Sequence, residues 1–122
     1  MQNRTPKNHL RTHRKKSGLS QRQVSELLGY PSGAQVSRHE NAKGVPHLTS
    51  AFGYQIIFRV PLHLLFPGMY EDIRELIEDR LQKLEISLHG QTVRGPQAAA
   101  IAQTLLWMMD RRERDNEMTD AN

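Results

Sequence analysis

The sequence predicts an all-α protein, with five short helices in its first half followed by two longer ones. Three observations carry that prediction. Val24, Leu27 and Leu28 fall at the i, i+3, i+4 spacing of one buried helical face. Breaks bearing glycine or proline, among them "GYPSG", "AKGVP" and Pro67-Gly68, interrupt the first half of the chain at short intervals. Beyond them the apolar stripe lengthens, with Ile73, Leu76, Ile77, Leu81, Leu84 and Leu88 on a single helical face.

Taken in order, residues 1–8, "MQNRTPKN", read as a flexible polar arm. The first helix spans about His9 to Ser17 and ends at Gly18, where a left-handed backbone costs glycine little. Ser20 opens the second helix, since its hydroxyl can accept a hydrogen bond from a free N–H of the first turn, and Gly29 closes it. A third helix, about Ser32 to Asn41, buries chiefly Val36. In "HLTSAFGYQIIFRV" Leu48, Phe52 and Ile56 are expected inward, with Tyr54 and Ile57 as further candidates, and "PLHLLF" is a fifth helix with Pro61 at its first position. The long helix runs from Tyr70 to about Leu88, and Pro96 starts the last one, with Ala98, Ile101, Leu105 and Met108 or Met109 on one side and a frayed tail over 116–122. The expected organisation is an arm at 1–8, a domain at 9–68, a helical hairpin at 69–115 and the tail.

Composition limits the function. The chain has 122 residues and no cysteine, which excludes disulfides, thiolate metal sites and a cysteine nucleophile. No apolar run approaches the length of a membrane span, and "MQNRTPKNHLRTHRKK" has no apolar middle of the kind a signal peptide needs, so a cytoplasmic location without membrane association is expected. Charge is unevenly placed: residues 1–50 hold nine Lys or Arg against two acids, whereas residues 51–122 hold eight against eleven. A basic half joined to an acidic half is the electrostatic footprint of a protein whose first part meets nucleic acid. A solvated basic face is the plainer alternative.

The third helix is where polar side chains outnumber the needs of a core. Ser32, Gly33, Ala34, Gln35, Ser37 and Arg38 are left uncommitted by a helix that buries chiefly Val36. Short hydrogen-bonding groups and an arginine on a helix held at an angle by its predecessor suit the major groove of double-stranded DNA.

At this point residues 10–66 resemble the Cro and phage-repressor type helix-turn-helix domain, the XRE family, through "GLSQ", "LLG", "VSRHEN" and the proline that precedes the fourth helix. The resemblance implies a five-helix, lambda-repressor-like DNA-binding domain followed by a C-terminal two-helix extension. It implies that Ser32, Gly33, Ala34, Gln35, Ser37 and Arg38 read bases, with Arg38 able to hold guanine O6 and N7 together. It also implies that Gln21, Arg22, Asn41 and Lys43 grip the DNA backbone, and that Arg14 and Glu40 form an internal ion pair. The sequence departs from the family pattern at His39, where an apolar or aromatic residue is usual, and at Arg59, where glycine is common.

The remaining features point away from chemistry. The six histidines show no compact ligand spacing with acids, and no nucleophile turn, phosphate-cradling loop or carboxylate pair stands out, so neither an enzyme, a metal site nor a cofactor is expected. The two C-terminal stripes exceed what the first domain can bury, so Ile73, Leu76, Ile77, Leu81, Leu84, Leu88, Ile101, Leu105 and Trp107 are expected at a homodimer interface, folding back on their own domain being the alternative. The expected function is a dimeric, sequence-specific transcriptional regulator of repressor type. The alternative is an antitoxin- or adaptor-type module that captures a protein partner through its C-terminal helices.

Overall fold

A computed structural model describes residues 8–91 and 94–120, the side chains of 118–120 excepted. Among these residues every regular element is a helix: α1 (Leu10–Ser17), α2 (Gln21–Leu28), α3 (Ala34–Glu40), α4 (Leu48–Phe58), α5 (Leu62–Leu65), α6 (Pro67–His89) and α7 (Pro96–Asp120). The chain divides into two units between Arg74 and Glu75, inside α6.

Local chemistry sets the boundaries of the first helices. Gly18 ends α1 at φ 79°, its N–H donating to the Lys15 carbonyl. At the start of α2 the Ser20 hydroxyl accepts from the Gln23 N–H at 3.0 Å, and the Gln23 side-chain oxygen accepts from the Ser20 N–H at 2.9 Å. This reciprocal cap satisfies two donors that helix geometry leaves unpaired. Gly29 closes α2 at φ 87°.

The first unit is built on Leu10, Val24, Val36, Tyr54, Leu65 and Phe66, with Leu28, Ile57, Phe58 and Leu62 packed against them. Each of α1 to α5 contributes to this cluster, so none of these short helices has to be stable alone. The His9 N–H donates to the Leu65 carbonyl at 2.8 Å, closing the start of the unit onto α5.

Several sequence expectations are corrected here. Leu27 is 62% exposed, because α2 buries Val24 and Ser25 and half-buries Leu28. On α4 Leu48, Phe52 and Ile56, expected inward, are exposed, whereas Ser50 and the further candidate Tyr54 are buried and Ile57 is half-buried. That helix is apolar on every side, so periodicity could not choose its inner face. The choice is made by polar pairing, as Ser50 and Tyr54 both find hydrogen-bond partners inside the unit. Pro61 precedes α5 as its cap rather than occupying its first turn. Pro67, expected as a stop, is the first residue of α6, where its missing N–H costs nothing. Residues 116–120 continue α7.

Asn8 is buried, and the rest of the expected arm, residues 1–7, lies outside the described residues.

The second unit holds the remainder of α6 and α7. Ion pairs link the two helices, Glu78 with Arg111 and Glu85 with Arg112. Met108 is the one residue buried there among those described, with Leu81, Leu88, Ala98, Ile101 and Leu105 half-buried.

Arg59 ends α4 at φ 58° and ψ 38°, a left-handed conformation that an L side chain resists. Arg59→Gly is expected to stabilise the protein by about 1 kcal/mol, less what glycine adds to the entropy of the unfolded chain. Urea unfolding followed by circular dichroism measures this, and a loss of stability would mean that the Arg59 side chain contributes more than its backbone costs.

Candidate nucleic-acid interface

α2 and α3 are joined by residues 29–33, in which Gly29 is left-handed and Pro31 fixes its own φ. α3 is only seven residues long, and its two sides differ sharply. Val36 and His39 are buried, whereas Ala34, Gln35, Arg38 and Asn41 are exposed along the opposite side. Ser32 and Gly33 stand just before the helix, Ser32 exposed and Gly33 half-buried, and Ser37 is half-buried. The six residues expected at the DNA bases thus lie within one short stretch, with Ala34, Gln35 and Arg38 the most open of those on the helix.

The expected backbone-gripping residues differ in how free they are. Lys43 is exposed, and its carbonyl accepts from Arg38 Nη2 at 3.3 Å. That bond occupies one of five guanidinium donors and leaves the others available. Asn41 caps the helix instead, its side-chain amide donating to the Ser37 carbonyl at 2.9 Å. Gln21 is half-buried and donates from Nε2 to Glu40 Oε1 at 3.1 Å. Arg22 is exposed, and its 3.8 Å approach to Glu26 is a surface pair of little energetic consequence.

Behind the open face lies a dense polar network. Arg14 Nε donates to Glu40 Oε2 at 2.6 Å and Nη2 donates to Oε1 at 3.2 Å, while Nη1 reaches the Leu19 carbonyl at 3.1 Å. The Glu40 side chain is 2% exposed and that of Arg14 12%. A buried carboxylate needs such a partner, because desolvation alone would cost several kcal/mol.

A second cluster surrounds His39. Its Nδ1 lies 2.8 Å from the Tyr54 hydroxyl, and Tyr30 approaches the ring edge-on while hydrogen-bonding Ser50. Burial holds the His39 pKa below the ordinary histidine value, and the charges of His47 and Arg38 add to the effect. Burial also raises the Tyr54 pKa, with the charges of Tyr30 and Glu40 contributing, so the hydroxyl stays neutral. Sequence reasoning did not assemble this group, although two tyrosines and a histidine at a usually apolar position were its signal.

Residues 8–51 match the family model described as a helix-turn-helix domain. The chain carries a helix-turn-helix domain. The matched stretch runs from Asn8 through α1, α2 and α3 into the first turn of α4. No curated protein and no solved structure matches the chain. Among the described residues no group of three or more His, Asp or Glu side chains could hold a metal ion, and no helix is long and apolar enough to cross a membrane.

Removing one partner of the buried pair tests how far the helix-turn-helix domain depends on it. Glu40→Ala strands the Arg14 guanidinium in a site it cannot leave cheaply and is expected to destabilise the domain by about 3 kcal/mol. A loss below about 1 kcal/mol in urea unfolding would show the pair to be energetically incidental.

Proposed function

We propose that the protein is a sequence-specific, double-stranded DNA-binding regulator of repressor type that acts as a homodimer. The observation that carries the reading is the face of α3 presented by the helix-turn-helix domain, where Ala34, Gln35 and Arg38 are exposed and unneeded by the core. In the major groove Gln35 can pair with adenine N6 and N7, and Arg38 with guanine O6 and N7. Lys43, exposed beside Arg38, supplies backbone attraction without sequence preference. Gln21 and Arg22 reach the backbone at the start of α2, Gln21 through the N–H that Glu40 does not take. Asn41 contributes more as a helix cap than as a phosphate donor. Repression would follow from occupying a site that polymerase needs.

Dimerisation is supported by the second unit taken by itself. Among the described residues of this helix pair only Met108 is buried, whereas Leu76, Ile77, Leu84, Leu106, Trp107 and Met109 are exposed on it. Of the expected interface, Ile73, Leu76, Ile77, Leu84 and Trp107 are exposed, and Leu81, Leu88, Ile101 and Leu105 are half-buried. A second copy that covers the open residues would also tie two α3 helices together, so that both can engage one duplex. The same surface, Trp107 above all, gives the second reading its support, that of an adaptor or antitoxin whose C-terminal helices hold another protein.

Selection of bound duplexes from a random library is expected to return a palindrome. Arg38→Ala should then relax preference at one base pair by about 1–3 kcal/mol, and Lys43→Ala should weaken binding to every duplex and shallow the salt slope by about one. Selection that returns no preferred sequence would defeat the regulator reading in favour of the adaptor. For assembly, Leu84→Glu is expected to convert the dimer to a monomer in sedimentation equilibrium, and an unchanged mass would remove that interface.

A further inference from the structure

His39 places an ionisable ring on the buried side of the helix whose other side is proposed to meet DNA. It is 4% exposed. Through its ring it holds the Tyr54 hydroxyl of α4 at 2.8 Å, with the two rings edge to face at 5.7 Å, and it meets Tyr30 of the α2–α3 turn at 6.1 Å. Through its carbonyl it accepts from the Asn8 side-chain amide at 2.9 Å, and Asn8 in turn accepts from the Leu10 N–H that begins α1. One residue therefore ties α3 to the start of α1, to the turn before α3 and to α4.

We propose that His39 is a positioning residue for DNA reading, that its neutral ring keeps α3 docked, and that protonation releases the helix. The link to DNA rests on the function proposed above, whereas the docking of α3 does not.

The charged and titratable surroundings favour the neutral ring. On α3 itself lie Arg38 and Glu40, and Glu40 is committed to Arg14 and Gln21. Tyr30 faces the ring from the turn, Tyr54 from α4, and His47 acts on it from the cap of α4. Asp72, from the first turns of α6, shares a cavity wall with His39 and Asn8. Arg38 and His47 both repel a proton on the ring, and burial penalises its charge more strongly still. The sign follows from linkage: the docked state binds fewer protons than the undocked one, so docking is strongest above the ordinary histidine range and weakens as pH falls through it. Charge alone would act oppositely on DNA, because exposed histidines that gain charge attract phosphate more strongly.

The test is amide hydrogen exchange of α3 in the full chain at pH 7.5, 6.5 and 5.5, corrected for intrinsic rates, with and without a selected duplex. Opening of α3 is expected to rise between pH 6.5 and 5.5, by at most about fivefold, the limit set by an open-state ring of ordinary pKa near 6.5. His39→Gln keeps a hydrogen-bonding side chain but cannot titrate, and His39→Phe fills the site should the glutamine variant fail to fold. Either variant should lose the acid-driven rise, whereas a merely structural histidine would leave the rise intact on a less stable background. The Tyr54→Phe variant should open more at every pH and keep the slope. An unchanged opening in the natural protein, or the same slope without His39, overturns the proposal. A duplex that binds yet leaves α3 opening unaltered overturns its link to DNA reading. Absence of binding to any duplex defeats the regulator reading alone, since the exchange slope still decides the role of His39.

Discussion

The Glu40 carboxylate is the interaction on which the helix-turn-helix domain most depends. Its two oxygens take three hydrogen bonds, two from Arg14 and one from Gln21, at the end of a helix too short to persist in water by itself. Arg14 also holds the Leu19 carbonyl, so one guanidinium joins the end of α1, the link to α2 and the end of α3. The planar fork of arginine makes this possible, because its donors point in fixed and separate directions. The pairing also neutralises an acid that would otherwise repel a nucleic acid beside α3.

Anchoring α3 from behind explains the freedom of its front. Val36 supplies apolar contact, His39 and Glu40 supply hydrogen bonds, and together they leave Ala34, Gln35 and Arg38 with no essential internal partner. The helix is thereby divided lengthwise into a side that holds and a side left open. Where a side chain was recruited for holding, as Asn41 and Gln21 were, its capacity for outside contacts shrank.

What could be read in the sequence was mostly local. Gly18, Gly29 and the Ser20 to Gln23 box mark helix ends through interactions spanning at most a few residues, and each acts within its own segment. The exposed positions of α3 could be inferred because so little of that helix is apolar. Orientation was harder to read. Nothing near Tyr54 in the chain announces that its hydroxyl meets His39, and without that pairing the apolar face of Leu48, Phe52 and Ile56 looks like the better core. Asn8 misled for a similar reason, as its partners are a carbonyl far along the chain and an N–H two residues on. Pro67 carries both a stop signal and a start signal, and only the surrounding packing chooses between them.

The charge partition sharpens the division between the two units. Residues 1–74 hold eleven Lys or Arg against four acids, and residues 75–122 hold six against nine. An acidic unit gains nothing from approaching phosphates, and two of its arginines are already spent on Glu78 and Glu85. Its exposed apolar residues therefore make sense against protein rather than DNA. On the proposed reading this separation is what makes a seven-residue helix sufficient: few base contacts per copy give weak discrimination, and joining two copies through a surface that DNA repels multiplies that discrimination without placing the interface in competition with the ligand.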